Sequence, residues 1–266
     1  MEKINIPAIE LIVLASYFDK SYFYGISDPF FGMTVEEIKA SIESSKRELD
    51  KKGFISMGFD GTEEVTEKGK ELIDRTLLSK EYLLFDGLID GEAQNRISYY
   101  KSQNVETMCT KSDNNITIVE SNIDSVIDNF SKLYLERNVK SENSEKIFIC
   151  KMELLKELKE IFDELKENES AKEIEDRIVK KLLDSGADKN IAEGICKGLL
   201  KNCNYVSIIA GNIKERDLKS FQLIVTEDMI LSLYTLNNIE NEVRYQIISK
   251  DKVVNMIKET IKELEV

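Results

Sequence analysis

Two amphipathic helical stripes, Asn122–Glu136 and Asp251–Glu265, each follow a run of short alternating segments, and each run follows a set of helical segments. A chain that states one order of elements twice is constrained to helices packed on strands within each half. In Asn122–Glu136 the residues Ile123, Val126, Ile127, Phe130, Leu133 and Tyr134 recur at helical spacing. Val253, Val254, Ile257, Ile261 and Leu264 do the same near the end of the chain. Stripes of this width cover one face of a sheet.

The first half reads as follows. A helix is expected over Ile6–Lys20, with Pro7 in its first turn, where the missing N–H costs little. Thr34-Val-Glu-Glu37 has the spacing of a capping box, a short helix runs to Ala40, and a second spans Ile42–Lys52 before Gly53. Phe54–Met57 and Glu64–Thr66 read as strands around Phe59-Asp-Gly61, and a helix then runs from Thr66 to Leu78. Tyr82–Phe85, Arg96–Tyr100, Val105–Cys109 and Ile116–Val119 are β-branched, aromatic or alternating runs that read as a meander.

Asn138–Lys146 is polar and reads as a linker, which divides the chain into 1–137 and 138–266. Helices are expected at Lys151–Glu167, from a second capping box at Ser170-Ala-Lys-Glu173 to Asp184, and at Lys189–Lys201. Tyr205–Ala210, Ser220–Val225, Ile230–Leu236 and Val243–Ile248 form the second meander. Side-chain identity between the halves is low, so two unrelated stretches sharing an order remain the alternative. The reading favoured is a pseudo-duplicated α+β fold whose halves pack as one unit.

Composition serves chiefly to exclude. With Lys+Arg 37 against Asp+Glu 50, the net charge is −13, which disfavours phosphate backbones and anionic lipid as partners. No apolar run has the length of a membrane span and no signal-peptide pattern opens the chain, so a cytoplasmic protein is expected. Histidine is absent, which removes the usual general base, and Cys109, Cys150, Cys196 and Cys203 form no CxxC pair. They read as buried thiols rather than metal ligands or nucleophiles. Phosphate-loop spacing, a nucleophile elbow and a calcium loop are all missing. Acidic pairs such as Glu36/Glu37, Glu63/Glu64 and Glu157/Glu160 read as solvated faces. No catalytic, cofactor-binding or metal-binding residue is assigned, and an enzyme is not expected.

Helix, turn, helix, hairpin and helix over residues 6–78 resemble a winged helix-turn-helix domain, which raises a DNA-binding regulator as one alternative. Its hairpin carries Asp60, Glu63 and Glu64 and no Lys or Arg between Gly53 and Thr66. A hairpin that tracks phosphates needs cations there, so protein contact is favoured over DNA. What remains for function is sheet surface. Arg96, Ser98, Tyr100, Glu106, Met108, Thr117 and Val119 read as outward, alternating with Ile97, Tyr99, Val105, Cys109, Ile116 and Ile118. In the second meander Phe221, Leu223 and Val225 alternate with Gln222 and Ile224, and a register slip of one would swap the faces. A sheet with helices on one side leaves a face or an edge for a helical partner.

Taken together, a winged-helix-like opening, a meander closed by a helix, and a helical segment with a second meander and closing helix resemble the EspG family, cytosolic chaperones of type VII secretion. The form resembled most is one encoded with type VII systems of Firmicutes. The resemblance implies a non-enzymatic protein that binds a helical hairpin secretion substrate and keeps its apolar tip shielded until export. It implies a contact through the sheet, a loop between early strands and the C-terminal helical region. By element order that loop is Lys101-Ser-Gln-Asn104, between the Tyr100 and Val105 strands, with Met108 beside it. An immunity protein for a secreted toxin is a further alternative with the same acidic character.

Overall fold

In the computed structural model of the chain, the residues described are 3–20, 26–79, 81–89, 92–93, 96–102, 105–112, 114–136, 144, 146–165, 170–200, 203–212, 217–236 and 241–264. The first half runs β1 (Ile4–Pro7), α1 (Ala8–Ser16), α2 (Val35–Lys51), β2 (Ile55–Met57), β3 (Glu63–Val65), α3 (Glu67–Asp74), β4 (Glu81–Ile89), β5 (Glu92–Ala93), β6 (Ile97–Lys101), β7 (Glu106–Ser112), β8 (Asn115–Glu120) and α4 (Ile123–Phe130). The second runs β9 (Ile147–Lys151), α5 (Met152–Leu165), α6 (Ala171–Asp184), α7 (Lys189–Leu199), β10 (Asn204–Asn212), β11 (Asp217–Val225), β12 (Ile230–Leu236), β13 (Glu242–Ile248) and α8 (Lys250–Leu264). The fold is α+β.

All strands but β2 and β3 join one antiparallel sheet in the order β1-β8-β7-β6-β4-β10-β11-β12-β13-β9, with β5 on β4. Each half contributes a continuous block, and the blocks meet where β4 pairs with β10 from Glu81↔Asn212 to Leu88↔Tyr205. At that seam the Gly87 position has no room for a side chain: a Cβ there would lie 2.3 Å from the Tyr205 carbonyl and 2.9 Å from the Tyr134 ring.

Both capping boxes form as their spacing predicts. The Glu37 amide donates to the Thr34 hydroxyl at 3.3 Å, and the Glu37 carboxylate accepts from the Thr34 amide at 2.8 Å. Ser170 and Glu173 repeat the arrangement, with 2.9 Å for the Ser170 amide and 3.4 Å for the Glu173 amide. Gly53 and Gly186 take φ of +74° and +91° just beyond helices α2 and α6, a conformation a Cβ would strain.

Helices cover both faces of the sheet, not one. On the first face α4, α8 and a π-helical turn, Ser131–Leu135, close over Leu83, Phe85, Ile97, Tyr99, Val206, Ile208, Phe221 and Leu223. Phe85 stacks on Phe130 with centroids 4.5 Å apart. Because residues of both halves meet in this core, burying it ties the halves together. On the opposite face α1–α3 pack over Ile6, Tyr82, Tyr100, Cys109, Ile116 and Ile118 at one end of the sheet. α5–α7 pack over Phe148, Cys150, Ile224, Leu231, Val243 and Tyr245 at the other.

Several expectations are corrected. The two helices expected at Thr34–Ala40 and Ile42–Lys52 are one helix, α2, because nothing around Ala40-Ser41 breaks the hydrogen-bond ladder. The opening helix is shorter than expected: Ile4–Pro7 is a strand on β8, and Pro7 caps α1 instead of lying in its first turn. Ile147–Lys151, left between the expected linker and helix apart from Lys151 at the helix start, is the strand at the other edge, on β13. The expected inward and outward sets of the first meander are also mixed. The register pairs Ser98 with Cys109 and Tyr99 with Met108, which puts Ser98, Tyr100, Cys109, Ile116 and Ile118 on one face. Tyr100 is fully buried, since α1–α3 cover the face that was expected to be open. The four cysteines are buried as expected, and burial pushes the Cys150 thiol up to about 11 and the Cys196 thiol to about 12. Among the described residues no helix is long and apolar enough to cross a membrane.

Candidate interaction site

The face that carries two separate helical lobes is covered only at its ends. Between the lobes, cross-strand rows of side chains run over β4, β10 and β11. Leu84, Ile209 and Ser220 make one row, Asp86, Ser207 and Gln222 the next, and Leu88, Tyr205 and Ile224 a third. Apart from Ile224, which α7 buries against Gly198, every one of these is half-buried or exposed. A fourth row ends in Leu218, which is 61% exposed beside Gly211 and Tyr82. The Gly211 position is filled by the Tyr82 ring, whose hydroxyl would lie 2.5 Å from a Cβ there. Antiparallel strands alternate their side chains, so the residues that fill the closed core on one face necessarily leave this second set on the other. The result is a trough of mixed character, with Leu84 and Ile209 leaning on the first lobe, Tyr205 on the second, and the polar row Asp86, Ser207 and Gln222 between them.

One rim of the trough is polar. Asp86 accepts a hydrogen bond from the Arg96 Nε at 2.7 Å. Ser27, in the segment leading to α2, receives Arg96 at 3.5 Å and the Lys111 ammonium at 3.2 Å. Tyr205 is pushed above its ordinary phenol value by burial, so its hydroxyl stays protonated and available as a donor. A surface of this kind can bind an apolar helix face and orient it with a few hydrogen bonds. Among the described residues no group of cysteine and carboxylate side chains is placed to share a metal.

The residues proposed from the sequence as partner contacts fall at the end of this sheet. Lys101 ends β6 opposite Glu106 of β7, and Ser102 closes the connection, its amide donating to the Val105 carbonyl at 3.0 Å. Gln103 and Asn104 lie outside the described residues. Met108 is half-buried under α4, with its sulfur 3.8 Å from Asn129 Nδ2. It therefore faces the closed core, one strand face away from the trough. Glu106 is also committed to structure, for its carboxylate accepts from the Ile123 amide at 2.9 Å and holds the start of α4. Lys101, Ser102 and Met108 are all half-buried, and the β6–β7 register puts Lys101 and Met108 on the same face of the sheet. The trough residues Leu84, Ser207, Tyr205 and Ile209 went unassigned because only the β4–β10 pairing brings their strands together. Alternation in Tyr205–Ala210 was the one available signal.

No protein-family model and no curated protein sequence matches the chain. Among solved structures, fourteen chains match. One is the Mycobacterium tuberculosis type VII secretion system chaperone EspG5, solved in complex with a PE25-PPE41 dimer. The TM-score is 0.60 at 11% identity, over 98% of this chain and 96% of that one, so this chain is similar in fold to a type VII secretion chaperone along nearly its whole length.

Proposed function

We propose that this chain is a cytosolic, non-enzymatic chaperone of a type VII secretion system, which holds a helical export substrate and keeps its apolar tip covered. The observation that carries this reading is the fold likeness to EspG5 over 98% of the chain, since EspG5 was solved holding a dimer. The trough supports it, because a half-exposed sheet face of mixed character flanked by two helical lobes suits an amphipathic helix. In this reading the substrate lies along Leu84, Tyr205, Ile209 and Leu218, and the β6–β7 connection from Lys101 to Asn104 contacts it at one end. The net charge of −13 favours a substrate with basic patches. The same reading takes the segments 1–137 and 138–266 as two copies of one unit, for which the matched element order speaks.

Coexpression with the small helical proteins and toxins encoded beside this chain tests the proposal. A complex with an export substrate that survives gel filtration is the expected result. Neutralisation of a toxin without substrate capture would point to an immunity protein, and retardation of DNA in a low-salt gel to a regulator. Failure of every neighbouring protein to bind would end the chaperone reading.

A further inference from the structure

A cleft of about 510 Å³ lies away from the trough, at the β1 edge of the sheet. Its floor and walls come from Ile4 and Asn5 of β1, Phe54 and Leu72, and three lysines, Lys3, Lys52 and Lys68, stand around it. In a chain of net charge −13, a cationic cleft is unexpected. The fourth charged residue on its wall, Glu71, is paired with Arg75.

The lysines are not equivalent. Lys52 is neutralised by the buried Glu10 carboxylate at 2.6 Å. Lys68 is held without a carboxylate: its ammonium donates to the Lys52 carbonyl at 2.8 Å and sits 4.5 Å from the centre of the Phe54 ring. Neither Lys3 nor Lys68 makes an ion pair among the described residues. Two positive charges without an ion-pair partner among the described residues thus stand at the cleft.

The strand beside the cleft is an edge. β1 pairs with β8 on one side and is last in the sheet on the other. Ile4 points to the core of the first lobe, whereas the Asn5 carbonyl oxygen of the side chain accepts from Thr117 on the opposite face. A cleft that touches both residues runs along the backbone edge of β1, where the register turns the Asn5 amide and carbonyl away from β8 and Pro7 offers no N–H.

We infer that this cleft binds an extended acidic segment of a partner protein. The segment adds as a strand to β1, and its carboxylates meet Lys3 and Lys68. The strand hydrogen bonds supply register and the lysines select for acid. This site is separate from the trough and does not rest on the chaperone reading.

The test is fluorescence anisotropy of the full chain with a fluorescein-labelled peptide of alternating valine and glutamate. Binding is expected, whereas the peptide of alternating valine and lysine does not bind. The double variant Lys3→Glu/Lys68→Glu weakens binding by about tenfold or more, since each charged hydrogen bond contributes at about this scale. Lys252→Glu/Lys262→Glu, the same charge change on the exposed side of α8, leaves affinity within about threefold because it is screened and distant. N-methylation of alternate peptide amides, which removes strand donors and keeps the charge, also weakens binding. Circular dichroism checks that each variant is folded. Equal binding by the N-methylated peptide, or full displacement by inorganic phosphate, would overturn strand addition in favour of a simple anion site. Unchanged binding by Lys3→Glu/Lys68→Glu would remove the cleft altogether.

Discussion

The two faces of the central sheet use the same strands for opposite ends. On the closed face α4 and α8 meet over the β4–β10 seam and leave Phe85, Phe130, Tyr99 and Ile208 almost without exposure. On the other face the helices stand in two groups at the sheet's ends, and Leu84, Tyr205, Ser207 and Ile209 stay half-exposed. Strand alternation made the difference possible, but the placement of helices decided it. Both faces carry buried cores, but only the face with two separate lobes leaves its middle rows half-exposed.

The comparison is tested most severely on the closed face. Phe130→Ala removes a fully buried ring stacked on Phe85 and should cost about 3–5 kcal/mol, read from the midpoint of urea unfolding. A loss under about 1 kcal/mol would mean that this core can collapse around the cavity, and the contrast between faces would fail. Gly87→Ala inserts a methyl against the Tyr205 carbonyl and should cost about 1–3 kcal/mol, or prevent folding, because backbone cannot move aside as a flexible side chain does. An unaltered melting temperature would show that the seam between the halves is loosely packed.

The capping boxes lie outside both faces and are expected to matter less. Thr34→Ala should cost about 1 kcal/mol through the lost N-cap. The backbone and hydroxyl hydrogen bonds of Thr34 hold the Glu37 carboxyl below its ordinary 4.5. A depressed folded-state value means that the stabilisation is present above the unfolded value and is lost as pH falls below 4.5. Native protein should therefore lose stability on acidification more steeply than Thr34→Ala, and parallel pH profiles would show that the carboxylate does not act through this cap. At the smallest scale stands Leu218→Asp on the open face. It should change stability by less than about 0.5 kcal/mol, because this side chain is already 61% exposed. The same change should weaken capture of a helical substrate, and undiminished capture would move the partner away from the trough.

Much of the local structure is legible because local chemistry writes it. Thr34 with Glu37, Ser170 with Glu173, and the glycines at 53 and 186 mark helix ends by requirements that neighbouring residues satisfy themselves. The edge strands β1 and β9 were hidden for different reasons. In β1 only four residues precede a helix, too few for a period of two to appear. In β9 the outward Ile147 and Ile149 are as apolar as the inward Phe148 and Cys150, so the alternation vanishes. The break expected near Ala40 is absent because α2 runs unbroken through it, so α1, α2, the acidic β2–β3 hairpin and α3 follow in the expected order with one helix fewer.

The sequence by itself determined the α+β class, the helix caps, the burial of the cysteines and the acidic charge. Each follows from periodicity, capping or charge, which act over a few residues or over the whole composition. Only the tertiary structure decided that β4 pairs with β10, that Ser98 shares a face with Cys109, and that two helical lobes leave a trough between them. Those outcomes depend on contacts between residues more than a hundred positions apart, as in Leu84↔Ile209, and on register. A shift of one residue leaves every local signal intact and turns each side chain to the other face.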